Sequence, residues 1–320
     1  MSVSAPIAAD HAQPAVTWRA RMLAAGVGAS WTAMGVFPGD MGPNLLAGLS
    51  RRSSWLTRER VTKGTERAAT GLGLARPEAE AIVRACLGHI SRNALEMRVF
   101  RRHTDQGDDS RWSIQGAEHL DQALASGRGV LLSAGHFGAW ELLAEMVARR
   151  FQPTWILSHP RRNPKLEEHV VRLRSGSIAG TIDKHDMRSL FRTLKAGGLV
   201  TGLFDQRGGR GGWRLPFLGM DASHHRAPGV LARRCNVLCL PIAVVRDLRG
   251  RQVHYRLSIQ PAVEADPALT GERAEVDVVR RLSAALERTV RADPEQYLWT
   301  HDRWSKAASA MTPPDAPEAE

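Results

Sequence analysis

The sequence has 320 residues, of which 43% are hydrophobic, enough apolar material for one large core. Lysine and arginine number 44 against 33 aspartate and glutamate, so the formal net charge of +11 favours a polyanionic partner: nucleic acid, anionic lipid headgroups or an acidic carrier protein. The three cysteines form no CxxC pair, which argues against a disulfide framework or a zinc knuckle and favours a reducing compartment.

The N-terminal third of the chain is predicted to be helical and membrane-associated. Residues 1–15 are rich in alanine and proline and are expected to form a mobile leader. Residues 22–39 are uncharged but diluted by glycine, serine and threonine, so we expect an interfacial membrane anchor, with a transmembrane span as the alternative. Apolar residues at helical spacing predict helix throughout residues 54–102. Residues 16–105 are therefore predicted to be a helical extension.

From residue 106 onward, short apolar runs alternate with helical stretches, a pattern typical of crossover units in a parallel sheet. Strands are predicted at residues 128–134, 154–157 and 198–204. Two of the helices between them are predicted to begin at Asn163 and Asp186, whose side chains are suited to N-caps.

The C-terminal part of this region adds a hairpin and a helix. Residues 236–246 and 252–260 are rich in β-branched side chains and predict paired strands, and a helix is predicted at about 272–292. The predicted fold class of residues 106–306 is α/β, with a mixed, mainly parallel sheet flanked by helices. The acidic, proline-containing residues 307–320 are predicted to be a disordered tail.

The segment "SAGHFGAWE" places His136 and Glu141 where a predicted strand gives way to a helix. Open α/β sheets bind ligands at this edge. A carboxylate on one imidazole nitrogen leaves the other free to take a proton, so the pair suits a general base acting on a hydroxyl. The spacing does not match a metal-binding motif. The alternative is structural, with His136 capping the helix and Glu141 stabilised by the helix dipole.

Two further basic segments are expected near the same edge. "DQRGGRGGWRLPFLG", residues 205–219, follows a predicted strand and is interpreted as a flexible basic loop able to meet phosphate, or else as a mobile solvated loop. Several arginines flank the helix predicted after the second strand, and some are expected at this edge: Arg161, Arg162, Arg172 and Arg174. The aromatic residues of 293–305 are expected to form a terminal strap over the core.

Taken in order, these segments resemble the bacterial lipid A biosynthesis acyltransferases, the late enzymes of the lauroyl and myristoyl type. "GHFGAWE" is similar to their His-x4-Glu block, a variant of the His-x4-Asp block of the wider lysophospholipid and glycerolipid acyltransferases. "FDQRGG", "LPFLG", "LARRCNVLCLPIAVVR" and "PEQYLWTHDRW" resemble the later blocks. The likeness covers roughly residues 20–306, and residues 222–232 depart from it in a segment expected to shape the acceptor pocket.

The resemblance implies a glycerolipid acyltransferase-like fold and an O-acyltransferase at the cytoplasmic face of the inner membrane. It implies that His136 is the catalytic base and Glu141 its partner. Substrate-binding residues are expected to be Arg174, Asp205, Gln206, Arg161 and Arg162. It implies an acyl carrier protein or coenzyme A thioester as donor, a glycolipid acceptor and an anionic membrane surface as partners, with no cofactor and no metal.

Alternatives remain open at the level of the sequence. The acceptor is a lipid A precursor or another envelope lipid, such as a phosphatidylinositol mannoside or a lysophospholipid. A rival of another class is a non-enzymatic basic protein that binds the membrane surface. Nucleic acid is not an expected partner, because no helix-turn-helix, RNA-recognition motif or basic aromatic stripe is present.

Overall fold

The structure is a computed structural model, and it describes residues 37–53, 57–158, 174, 178–248, 252–304 and 307–314. Several predictions lie outside the described residues: the leader at 1–15, all but the last three residues of the anchor at 22–39, and the predicted cap and basic side chains at Arg161, Arg162, Asn163 and Arg172.

Helices α1 (Met41–Arg52), α2 (Arg58–Leu72) and α3 (Arg76–Thr104) precede the first strand. The prediction of uninterrupted helix over 54–102 is wrong, because α2 ends at Gly73, which has a left-handed φ of 70°. Helix α3 then restarts, and the Glu78 carboxylate accepts a hydrogen bond of 3.3 Å from the backbone N–H of Ala75. A glycine stop and an acidic first turn therefore divide one apolar pattern into two helices.

The remaining elements alternate between strands and helices. In chain order they are β1 (Trp112–Gln115), α4 (Ala117–Ala125), β2 (Val130–Ala134), α5 (Leu143–Arg150), β3 (Thr154–Ser158), β4 (Ile178–Asp183), α6 (Met187–Lys195), β5 (Leu199–Leu203), β6 (Trp213–Phe217), β7 (Met220–His224), α7 (Ala227–Cys235), β8 (Leu238–Asp247), β9 (His254–Ile259) and α8 (Gly271–Ala292). Short 3-10 turns lie at Trp140–Leu142, Pro294–Gln296 and Ala307–Ser309.

The seven-stranded sheet has the order β1-β9-β8-β2-β5-β3-β4. The β8–β9 hairpin is antiparallel and the other neighbouring strands are parallel, so the predicted mixed, mainly parallel α/β sheet is confirmed. The predicted strands in β2, β3, β5, β8 and β9, the helix α8 and the Asp186 cap of α6 are also confirmed. Strands β1 and β4 were not predicted, because neither segment has a fully buried apolar run.

The central strand β2 is buried on both faces, with Val130, Leu131 and Leu132 at 0% exposure. Helix α3 packs against this α/β body and is tied to β8 by a buried ion pair in which Arg246 Nε donates to Glu96 at 2.7 Å. Helix α1 is held to α3 and to the segment before β1, where Asp40 pairs with buried Arg111. The helical region is thus packed onto the sheet by polar tethers as well as by apolar contacts.

Strands β6 and β7 form a separate antiparallel ribbon. The expectation of a flexible loop over residues 205–219 is wrong in its second half, because residues 213–217 are strand β6. The tail predicted at 307–320 is wrong in its first part, since Met311 N donates to Gly212 O and Arg214 N donates to Met311 O, both at 2.8 Å. The segment around Met311, which composition alone predicts to be disordered, is therefore ordered by pairing with the edge of β6.

Within the described part of the chain, no helix is both long enough and apolar enough to cross a bilayer.

Candidate active site

His136 lies just past the carboxyl end of β2, and Asp205 lies just past the carboxyl end of β5. The two strands are paired in register, Ala134 opposite Leu203, and Phe204 N donates to Ala134 O at 2.9 Å. Because neighbouring parallel strands end at the same edge, the two loops meet there. Sheet order therefore brings together two residues that are 69 positions apart in sequence.

Asp205 holds His136 at two points. The imidazole Nδ1 hydrogen bonds to Asp205 Oδ1 at 2.7 Å, and the backbone N–H of His136 donates to Oδ2 at 2.9 Å. The carboxylate accepts from the Nδ1–H, so Nε2 carries the lone pair. Gln206 approaches this Nε2 with its amide Nε2 at 3.3 Å, and Trp140 packs edge-on to the imidazole.

Burial and charge act in opposite directions on this pair. Burial alone lowers the pKa of His136, but the charge of Asp205, the hydrogen bond to it and the charge of Glu141 together raise that pKa above the ordinary 6.5. Burial raises the pKa of a carboxyl, yet the charge of His136, the hydrogen bonds from it and the charge of Arg303 lower the pKa of Asp205 to about 2. Asp205 is thus ionised at neutral pH, although it is 2% exposed.

Glu141 does not occupy the position predicted for it. Its carboxylate pairs with Arg174, with the Arg174 Nη2 at 2.9 Å and the Arg174 Nε at 3.3 Å. The structure places Asp205, and not Glu141, on the imidazole nitrogen of His136. Glu141 is the middle residue of the 3-10 turn Trp140–Leu142, five residues after His136; its side chain contacts Arg174, and its charge acts on the imidazole only across space.

The loop between His136 and Glu141 is held by backbone contacts. Gly138 has a φ of 58°, its N–H donates to Gln296 O at 3.0 Å, and its carbonyl accepts from Asn93 Nδ2 at 3.2 Å. A Cβ at Gly138 would lie 1.9 Å from the carbonyl oxygen of Val244. Only glycine fits at this position.

Residues 294–304 pack against the loop that carries His136, as expected for a terminal strap. Leu298 N donates to the carbonyl of His136 at 3.2 Å, and Tyr297 forms an isolated bridge with Phe137. Trp299 is fully buried and Tyr297 is 2% exposed. The strap therefore fixes the backbone that carries His136.

The glycine-rich half of residues 205–219 is held against β7. A Cβ at Gly208 would lie 2.3 Å from the carbonyl oxygen of His224, and one at Gly212 would lie 2.5 Å from the same atom. These glycines permit close approach of two backbones, and the loop is not simply a solvated segment.

The predicted site residues fall into two groups. The structure brings His136, Asp205, Gln206, Glu141 and Arg174 to one edge of the sheet. Arg161 and Arg162 lie outside the described residues. Sequence reasoning missed the supporting contacts of Asn93 and Gln296, and it missed the pairing of Asp205 with His136. A signal for that pairing existed, because both residues directly follow an apolar strand.

The chain matches the family model described as bacterial lipid A biosynthesis acyltransferase over residues 14–306. It is similar to a lipid A biosynthesis palmitoleoyltransferase of Escherichia coli (strain K12), at 29% identity over 197 residues, 60% of this chain and 61% of that protein. A lipid A biosynthesis lauroyltransferase of the same organism is 29% identical over 201 residues, 61% of this chain and 62% of that protein. The chain thus aligns with somewhat less than two thirds of the length of these relatives.

Proposed function

The chain belongs to the bacterial lipid A biosynthesis acyltransferase family, and on that premise we propose that it transfers a fatty acyl chain from an acyl thioester to a hydroxyl of a lipid A precursor. The family match covers most of the chain, and relatives with lipid A acyltransferase names support acyl transfer. The observation that carries the proposal is the hydrogen-bonded pair of His136 and Asp205 at the sheet edge.

His136 is the proposed general base. Asp205 accepts from Nδ1, so Nε2 is the nitrogen that removes a proton from the acceptor hydroxyl. The hydroxyl oxygen then attacks the thioester carbonyl, the C–S bond breaks from the tetrahedral intermediate, and the imidazolium returns its proton to the departing thiolate. Proton and electron pairs balance without a covalent enzyme intermediate.

Gln206 is proposed to mark the place of the acceptor hydroxyl. Its amide lies 3.3 Å from the Nε2 of His136, the atom that must receive the proton. A hydroxyl bound there would displace or share this contact. Asp205 then acts through the imidazole and positions it, instead of binding substrate directly.

Glu141 and Arg174 are proposed to form the substrate-binding side of the site. The carboxylate fixes the guanidinium through its Nε and Nη2, and Nη1, for which the described residues offer no hydrogen bond, is proposed to bind an anionic or carbonyl group of a substrate. Arg174 is 16% exposed, so it is accessible but not free to move. Arg161 and Arg162 are proposed as further substrate-binding arginines because in the sequence they follow β3, whose carboxyl end lies at the same edge of the sheet.

The proposed donor is an acyl carrier protein or coenzyme A thioester, and the proposed acceptor is a glycolipid. An acidic carrier protein would complement the net charge of +11. Mass spectrometry of host lipids with and without the gene tests the acceptor. A difference of one acyl chain on a phosphatidylinositol mannoside or a lysophospholipid, with lipid A unchanged, would replace the lipid A assignment.

We also propose that the enzyme acts at the cytoplasmic face of the inner membrane. A row of exposed apolar side chains supports membrane contact: Phe37, Met41, Leu45 and Leu49, at 39%, 55%, 46% and 49% exposure. Met41, Leu45 and Leu49 recur every four residues along α1, which places them on one side of the helix, and Phe37 lies in the segment just before it. The exposed Arg51 and Arg52 follow in the last turn, where anionic headgroups would be attracted.

The non-enzymatic alternative is a basic protein that only binds membranes. It does not explain why the imidazole of His136 is held in a fixed orientation by Asp205. His136→Ala tests the two readings. We expect loss of acyl transfer of about 100-fold or more, because general-base assistance has that size. The assay uses a thioester donor, with the melting temperature measured on the same preparation. Turnover near that of the wild type in a folded variant would contradict the mechanism.

A further inference from the structure

A buried arginine lies behind the catalytic pair. Arg303, on the terminal strap, is 2% exposed. Its Nη2 donates to His224 Nδ1 at 2.9 Å, and its guanidinium lies 4.0 Å from the ring centre of Phe217. Among the residues that the structure describes, its Nε and Nη1 have no hydrogen-bond partner. Because a buried charge is costly unless it is compensated, this side chain requires a physical explanation.

The direct partner of Arg303 carries no charge. His224 donates its Nε2–H to Leu215 O at 3.2 Å, so its Nδ1 is the unprotonated nitrogen that accepts from Arg303. Burial, followed by the charge of Arg303, lowers the pKa of His224 well below its ordinary value. The positive charge of Arg303 is therefore held in place by His224 without being neutralised by it.

The carboxylate that faces this charge is Asp205. Asp205 and Arg303 line the same small cavity, of about 40 Å³, next to the carboxyl ends of β2 and β5, and each is 2% exposed. The charge of Arg303 is among the causes that lower the pKa of Asp205. The strap that carries Arg303 also hydrogen bonds to the carbonyl of His136 through Leu298 N.

We propose that Arg303 is a positioning residue that acts through Asp205: its buried charge offsets that of the carboxylate and so limits how strongly the carboxylate holds a proton on His136. A lone buried carboxylate would favour imidazolium, which is useless as a base. With the charge of Arg303 nearby, Asp205 still fixes the orientation and tautomer of the His136 imidazole. The attraction of Asp205 for the imidazolium is reduced.

Other titratable groups face this cluster and must be considered in any titration. Glu141 acts on His136, and the remaining neighbours are His225, Tyr297 and His301. Burial comes first among the causes for each of these three, lowering the pKa of the two histidines and raising that of Tyr297 well above its ordinary value, so all three are uncharged at neutral pH. Arg303 is thus the cation placed against Asp205 from the strap.

The test replaces Arg303 with glutamine, which removes the charge but keeps an amide donor for His224. Because a lost positive charge favours protonation nearby, we expect the titration midpoint of the His136 ring to rise by about one pH unit. The midpoint is measured by NMR on histidine-labelled full-length protein without substrate. This readout is independent of acyl transfer, so it separates a failure of this inference from a failure of the proposed function.

The acid limb of kcat/KM gives the second readout and should move to higher pH by a similar amount. Arg303→Lys, which keeps the charge, should restore the midpoint towards that of the wild type. The matched control is Arg149→Gln, which neutralises an arginine paired with Glu145 and Asp105 on α5 and should leave the midpoint unchanged. A purely structural role for Arg303 predicts a lower melting temperature with no shift of either midpoint.

A double variant protects the test against misfolding. Arg303→Met with His224→Phe removes both partners of their shared hydrogen bond together, so His224 Nδ1 is not left as a buried acceptor without a donor. If Arg303→Gln does not fold, the double variant is measured in its place, with the same expected rise. A midpoint that stays at the wild-type value, or falls, in whichever neutral variant folds would overturn the inference.

Discussion

At the scale of single residues, His136 has two carboxylates within electrostatic reach, and they differ in kind. Asp205 is hydrogen bonded to its Nδ1 and is 2% exposed, whereas Glu141 is ion-paired with Arg174 and acts on His136 only through space. Orientation and tautomer of the imidazole therefore depend on Asp205. Glu141 contributes charge and holds a guanidinium.

Asp205→Asn is expected to reduce kcat/KM by about 100-fold or more, because an amide no longer enforces the tautomer that leaves Nε2 free. The wild-type acid limb should lie above pH 6.5, the ordinary pKa of histidine, since the pKa of His136 is raised. Loss of the negative charge should move that limb to lower pH. The measurement is the pH profile of kcat/KM.

Glu141→Gln serves as the matched comparison for that experiment. It removes the other carboxylate charge that raises the pKa of His136 but leaves the bond between Nδ1 and Asp205 intact. We expect its acid limb to move less than that of Asp205→Asn. A larger shift for Glu141→Gln would show that Glu141, and not Asp205, is the functional partner of His136.

At the scale of elements, the conformation of the loop between His136 and Glu141 depends on its contacts with β8 and the terminal strap. Gly138 is clamped between the Val244 carbonyl of β8 and Gln296 of the strap. The loop has few regular hydrogen bonds of its own, so its geometry depends on these neighbours. A side chain at this point would displace the loop and, with it, His136.

Gly138→Ala is therefore expected to destabilise the fold by at least about 3 kcal/mol and to reduce turnover, because it combines positive φ with a steric clash. The control is Gly127→Ala. Gly127 also has positive φ, 68°, but a Cβ there would meet nothing within 4 Å, so a cost of about 1 kcal/mol is expected. Thermal or denaturant unfolding measures both. Equal costs would show that the contact with Val244 is unimportant.

At the scale of the whole molecule, α1 is anchored on one side and exposed on the other. Gly42, Pro43 and Ala47 are buried, and Asp40 pairs with buried Arg111. The opposite side presents the apolar row of Phe37, Met41, Leu45 and Leu49. If this side lies in the membrane interface, it sets how the whole molecule is oriented towards the bilayer and the proposed lipid acceptor.

The double variant Leu45→Glu, Leu49→Glu should bind anionic vesicles at least about tenfold more weakly, since it removes apolar burial and adds like charge to the lipid. Vesicle flotation at limiting lipid measures the effect. Met311→Glu is the control, because Met311 is also an exposed apolar residue, at 38%, on another part of the chain. Equal binding by the double variant and the wild type would show that α1 does not contribute to membrane binding.

Local patterns in the sequence were sufficient to predict much of the secondary structure of this molecule. Short apolar runs predicted β2 and β5, segments rich in β-branched residues predicted the β8–β9 hairpin, and a helix was predicted at α8, since burial of these elements is reflected in local residue type. The position of His136 at a strand end and the aromatic strap followed from the same local signals. Residue types and order were also enough for the family resemblance.

The tertiary structure alone decided which carboxylate is hydrogen bonded to the imidazole of His136. Glu141 is five residues away in sequence, but the 3-10 turn directs it to Arg174, while the pairing of β2 with β5 delivers Asp205 from 69 residues away. Strand order depends on long-range packing, which leaves no periodic trace in the sequence. The same holds for Arg303 and Asn93, whose contacts with the site are made between elements distant in the chain.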